Sequence, residues 1–175
     1  CLSQLKQIQS AWQMYADDFD GRVPPNLADN PGGIWHSDPN SWIGFSSAIY
    51  DVDTRGIKQG LFYRYGYLRS FSIYHCVSDK SKVRTLSGDR LGLSRTRSYA
   101  MHGAVGGRTN EVQAVLNKLA DISHPSGLFV YVDEDEDSID DGHFLVWPYP
   151  DNRWVNMPAS RHSGSGILSF ADGHV

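Results

Sequence analysis

The chain predicts an α+β fold in which an N-terminal amphipathic helix packs on a largely antiparallel β-sheet. Three observations predict it. The first twenty residues carry a single apolar stripe at helical spacing, the strand-like runs gather in the second half, and 17 glycines and 8 prolines punctuate the rest with turns. With 175 residues, 40% hydrophobic and 12% aromatic, the chain is long and apolar enough to bury a real core. No internal repeat or linker divides it, so residues 1–175 are expected to form one domain.

Leu2, Leu5, Ile8, Trp12, Tyr15 and Phe19 recur three and four residues apart and place one apolar face on a helix, with Gln4, Lys6, Gln7, Gln9 and Gln13 opposite. Asp20-Gly21 stops that helix, and Pro24-Pro25 prevents a restart. Residues 24–60 read as a loop-rich excursion anchored by Trp35 and Trp42. Residues 61–68 fit either a short helix or a strand, and residues 72–76 read as extended. Residues 98–101 form a candidate strand, residues 110–119 have helical spacing, and residues 127–132 form the strongest strand signal of the chain. Residues 143–147 and 167–171 supply two more strands.

The net charge of −4 is unevenly spread. Residues 133–141 hold seven carboxylates, which leaves the remainder net positive. There is no dense basic stripe, so nucleic acid is not an expected partner; Arg90, Arg95 and Arg97 read as a solvated face. The acidic run repels itself. A hard cation with oxygen ligands would relieve that repulsion, so Ca²⁺ is a candidate ligand; a solvated acidic turn is the alternative. An EF-hand template fails, because Ser138 stands where it needs Gly and Phe144 where it needs Glu.

Cys1 and Cys76 lack the paired spacings of a zinc motif. They are compatible with one disulfide, which would contribute roughly 4 kcal/mol in the chain-entropy model, and equally with two buried thiols. The seven histidines show no i, i+4 ligand spacing, and no His-Glu-x-x-His, Gly-x-Ser-x-Gly or phosphate-binding loop is present, which argues against a hydrolase.

The end of the chain carries the most specific signal. His162 precedes Asp172-Gly173 with nine residues between, the H-x9-DG signature of prepilin-like proteins. Cys1 to Ile8 with Met14 to Pro25 resembles the region just after the membrane-embedded helix of that family. His75-Cys76-Val77-Ser78-Asp79 resembles its Cys-Pro-Ser-Asp element, with Val77 in place of Pro. Asp133-Glu134 through Asp137-Ser138-Ile139-Asp140-Asp141-Gly142 resembles its Asp-Glu-x-x-Asp-Ser-Ile-x-Asp-Gly run.

The resemblance implies a pilin-like head of the type II secretion pseudopilin or type IV pilin kind. Residues 1–20 would be the C-terminal half of the long pilin helix and residues 21–175 the mixed head, with a membrane-anchoring half-helix upstream. It also implies a cell-envelope location, other subunits and secretion machinery as partners, and no enzymatic activity. A Cys1–Cys76 disulfide follows from that oxidising compartment. Calcium held near the end of the head follows as well, with Asp133, Glu134, Asp137 and Asp141 as ligands; Asp172 would supply a further oxygen if the last strand pairs beside this loop. His162 would then shape the closing turn instead of forming a catalytic pair with Asp172. The residues alone support a second class of function, a carbohydrate-binding or adhesion module using Trp35, Trp42, Trp147 and Trp154.

Overall fold

In the computed structural model, which describes residues 1–108, 115–147 and 153–175, Leu2–Asp18 forms helix α1. Its inner face is the predicted stripe. Leu5, Ile8 and Trp12 are fully buried, and each such side chain stabilises the fold by roughly 1.5–3 kcal/mol. Gln9, expected on the outer face, is instead buried with them, where Ser169 Oγ donates to its Oε1 at 2.8 Å. Beyond Phe19, the Gly21 N–H donates back to the Ala16 carbonyl at 2.8 Å. That closure requires left-handed backbone at Asp20 and Gly21 (φ 53° and 74°), which explains why an Asp-Gly pair ends the helix.

The short strands β1 (Ala28–Asp29) and β2 (His36–Ser37) pair antiparallel, and two short helices follow, α2 (Arg55–Gln59) and α3 (Leu61–Arg64). The stretch expected to be extended, residues 72–76, is instead a 3₁₀ turn over Phe71–Tyr74, and the backbone is extended again at His75. The physical reason is α1: Gln4 Nε2 donates to the Ser72 and His75 carbonyls at 2.6 and 2.8 Å, and the turn buries Tyr74. Strands β3 (Lys82–Arg84) and β4 (Arg90–Ser94) form a hairpin that the sequence reading passed over. Its outer strand is exposed throughout, so no burial pattern marks it.

The central sheet is built from β5 (Tyr99–His102), β6 (Phe129–Asp133), β7 (His143–Phe144) and, at the end of the chain, β10 (Leu168–Phe170), in the order β10-β6-β5-β7. Pairing is antiparallel except between β5 and β7. The expected strand 143–147 is broken, because Leu145 N–H bonds Asn156 Oδ1 at 2.8 Å. Its second half, β8 (Val146–Trp147), pairs with β9 (Arg153–Trp154) in a separate ribbon. The helix expected at 110–119 lies partly outside the described residues. Its described part is not helical: Leu116 N–H bonds the Ala104 carbonyl, and Leu119–Asp121 is a 3₁₀ turn. No helix among the described residues is long and apolar enough to cross a membrane.

Tyr99, Met101 and Tyr131 join α1, Trp42 and Phe62 in one core. Ala100, Val132 and Phe144 form a smaller cluster of their own. The architecture is therefore α+β, with α1 laid across a largely antiparallel sheet.

Candidate functional site

All four motif stretches send residues to the start of α1. Cys1 is bonded to Cys76, with their Cα atoms 5.2 Å apart, and this ties the first residue of α1 to the segment after Tyr74. Cys76 N–H donates to Ser98 Oγ at 3.0 Å. That hydroxyl in turn donates to Asp79 Oδ2 at 2.6 Å, and Ser81 N–H reaches Asp79 Oδ1 at 2.9 Å. Burial would push the Asp79 carboxyl up, but these hydrogen bonds, helped by the Arg161 guanidinium 3.8 Å away, hold it below the usual carboxylate value.

Arg161 also binds Asp133, the last residue of β6. Asp133 is fully buried, and burial outweighs Arg161 and His162 in raising its pKa. His162 Nε2 lies 3.0 Å from Asp133 Oδ2 and 3.5 Å from Cys76 Sγ. A disulfide sulfur and a carboxylate are both acceptors, so Nε2 carries the proton and donates to Asp133. A Cys-His-Asp relay needs one ring nitrogen for each partner. Here one nitrogen faces both, so the cluster is a latch and not a nucleophile–base pair.

The other half of the acidic run serves a different cation. Arg97 is fully buried and donates to the carbonyls of Tyr99 (2.7 Å), Asp140 (3.0 Å) and Asp141 (2.5 Å). Glu134, Asp141, Asp51 and Asp140 supply opposing charge. Arg97 and Arg95, expected on a solvated face, are both buried. The carboxyl of Glu134 is raised well above its usual value, first by burial and then by the Asp140 charge. Ser138 Oγ donates to Glu134 Oε1 at 3.0 Å and accepts from Met157 N–H at 2.9 Å, while Ile139 is buried beneath the loop. Gly142 is required because a Cβ there would press on Ile43, Ser37 Oγ and the Trp42 indole. The loop is thus packed into the fold.

The five carboxylates expected to share a calcium ion are not brought together. Asp133 faces Arg161 and His162, Glu134 lies on the Arg97 side, and Asp137 is exposed and paired with Arg84 at 3.0 Å. Asp141 Oδ1 accepts the His143 N–H at 2.7 Å. Asp172 is the clearest misplacement. Because β10 runs antiparallel to β6, with Leu168 opposite Val132 and Phe170 opposite Phe129, Asp172 is carried to the end of β6 away from the acidic loop. There its Oδ1 caps the turn at Gly173 (φ 92°) by accepting the His174 N–H at 3.2 Å, and Lys6 Nζ donates to the Gly173 carbonyl at 2.5 Å. His162 and Asp172-Gly173 therefore secure α1 from two places, His162 through the disulfide and Gly173 through Lys6.

Of the four candidate ligand-binding tryptophans, Trp42 is fully buried in the core, edge-on to Tyr131, and its indole N–H donates to the Gly142 carbonyl at 3.1 Å. Trp147 is half-buried, and Trp154 is exposed but stacked on Phe129. Trp35 is 44% exposed and lines a cleft of about 130 Å³ with Asp140, Asp141, His143 and Asn156. Sequence reasoning missed Arg97, Arg161 and Asp79 as site residues. Isolated arginines carry no spacing signal, although Asp79 lay within the quoted Cys76 motif.

No family model matches the chain, and neither a curated protein nor a solved structure matches it.

Proposed function

We propose that the protein is a structural head domain, a subunit of a type II secretion pseudopilus or type IV pilus-like filament in the cell envelope. One observation carries the reading. Motif stretches from the beginning, middle and end of the chain, which resemble the same family, converge on the start of α1 and fasten it there. A filament subunit whose helix continues into an assembled core must transmit load from that helix to its head. A disulfide backed by Asp79, Asp133, Arg161 and His162 suits that task better than it suits catalysis. The reading brings with it other subunits, secretion machinery and a membrane-anchoring segment as partners.

The coding sequence upstream of Cys1 tests it directly. A short basic leader followed by about 20 apolar residues, with cleavage on co-expression with a prepilin peptidase, is the expected result. An upstream segment with no such apolar stretch would sink the proposal.

A second reading rests on the cleft beside Trp35, whose exposed ring is a platform for a sugar and whose walls carry Asp140, Asp141 and Asn156. Glycan-array binding that Trp35→Ala abolishes would favour it; an array without binding would remove it.

A further inference from the structure

We propose that, once the Cys1–Cys76 disulfide is reduced, Cys1 Sγ, Cys76 Sγ and His162 Nε2 form a binding site for a thiophilic divalent cation of the zinc class. Among the described residues these three form the one group of His, Cys, Asp or Glu donors, three or more strong, whose ligand atoms all lie within 4.8 Å of one another. The chain's cysteine spacing shows no such site, because its third donor comes from the far end of the sequence.

The geometry suits tetrahedral coordination. With metal–sulfur bonds of about 2.3 Å and metal–nitrogen bonds of about 2.0 Å, a tetrahedral ion holds sulfur and nitrogen roughly 3.6 Å apart. Cys76 Sγ and His162 Nε2 are already 3.5 Å apart. The two sulfurs must part from about 2 Å in a disulfide to roughly 3.8 Å across the metal, a movement that side-chain rotation supplies. Asp133 Oδ2, 3.0 Å from His162 Nε2, lies beside this group without belonging to it, so the fourth position is left to a water. Cys1 and His162 are only half-buried, so the site is open to solvent on one side.

The donor set also selects the ion. Two thiolates and an imidazole favour a borderline-soft cation over calcium or magnesium, which take oxygen. Two thiolate charges neutralise a divalent ion. A dithiol reductant gives two electrons and two protons and leaves as its own disulfide, the Sγ–Sγ bond breaks, and two thiols form. Metal binding then releases both thiol protons to water, and His162 moves its ring proton to Nδ1 so that Nε2 can coordinate.

Cobalt(II) reports such sites by colour. The protein would be reduced with a dithiol, freed of reductant without air, and titrated with Co²⁺ alongside the oxidised protein and the variants Cys76→Ser and His162→Ala. Reduced wild type is expected to show thiolate-to-cobalt charge-transfer absorption and intense tetrahedral visible bands, both bleached by Zn²⁺. The oxidised protein and Cys76→Ser should show neither, and His162→Ala should bind at least about tenfold more weakly with altered visible bands. Absence of the bands in reduced wild type would overturn the proposal, as would equal binding by the oxidised protein. Unchanged bands and affinity in His162→Ala would overturn it too, since that is the result of thiols binding from an unfolded chain.

Discussion

Asp133 and Glu134 are consecutive carboxylates, both fully buried, and extended backbone sends them to opposite sides. Asp133 meets Arg161 and His162, which compensate both of its oxygens. Glu134 meets a single hydroxyl from Ser138, and its second oxygen finds no hydrogen-bond donor. The Arg97 guanidinium near it is spent on the carbonyls of Tyr99, Asp140 and Asp141. The first region is thus an ion-paired latch between distant segments, and the second is a buried cation that holds one loop in shape. An acidic run can therefore be divided between two structural tasks by the pleat of one strand, and charge density alone does not mark a metal site.

The largest test removes the cation of the second region. Arg97→Met leaves three carbonyls without their donor and the neighbouring carboxylates without their counter-charge, and loss of one partner from a buried charged cluster costs up to about 5 kcal/mol. Urea unfolding should show that loss, and adding Glu134→Gln should recover part of it, because the carboxylate that lost its counter-charge is gone. A loss below about 1 kcal/mol would mean that Arg97 holds nothing together. The first region is tested by the Cys1→Ser, Cys76→Ser double variant. The bond closes a loop across a sequence separation of 75, which is worth roughly 4 kcal/mol in the chain-entropy model. The same loss is expected from reducing the wild type, and reductant should leave the double variant unchanged. A double variant as stable as the oxidised wild type would show that the latch works without its covalent bond.

The two regions should also respond to pH with opposite sign. Asp79 in the latch has its native pKa depressed below the ordinary 3.8. Its contribution is complete above that value and is lost as pH falls through the lower native pKa. Glu134 has its native pKa raised well above the ordinary 4.5. The native state then binds the proton more tightly than the unfolded chain, so its contribution is complete below 4.5 and fades as pH rises. Asp79→Asn should therefore cost about 1–3 kcal/mol at neutral pH and progressively less in acid. Glu134→Gln should match wild type in acid and gain on it as pH rises. Stability curves of the two variants that run parallel across pH would break the distinction between the regions.

Sequence reasoning reached some of this arrangement and not the rest, for physical reasons. The stripe of α1, the Asp20-Gly21 stop and the strand before Asp133 were legible because each is a local periodicity or a local backbone need. The turn at Phe71–Tyr74 was not, because Gln4 imposes it from α1. Arg97 looked like a solvated residue because its partners come from residues 99, 134 and 140–141, and no spacing rule links them. Asp172 looked like a loop neighbour of Asp133 until the antiparallel register carried it to the other end of β6. The motif residues themselves were visible, while their roles depended on contacts that only the fold brings about.

The smallest effect is expected at the exposed tip of the acidic run, where calcium was expected to bind. Asp137 is the exposed candidate ligand in that loop, and its partner Arg84 is itself partly solvated. Such a surface pair is worth about 0–1 kcal/mol and is screened by salt. Arg84→Ala should lower stability within that range at low ionic strength and by less in high salt. The same variant isolates the ion question, because removing the guanidinium frees the Asp137 carboxylate for a cation while Asp133 and Glu134 stay inside the fold. If the tip alone offers oxygens, Ca²⁺ should shift the melting temperature of wild type and Arg84→Ala equally little, since one carboxylate is far short of the 6–8 oxygens that calcium takes. A large calcium-dependent rise in both proteins, reversed by chelator, would mean that the loop can gather Asp135, Asp137 and Asp140 around an ion despite its packing. A rise confined to Arg84→Ala would show that Arg84 occupies the place that the cation would take.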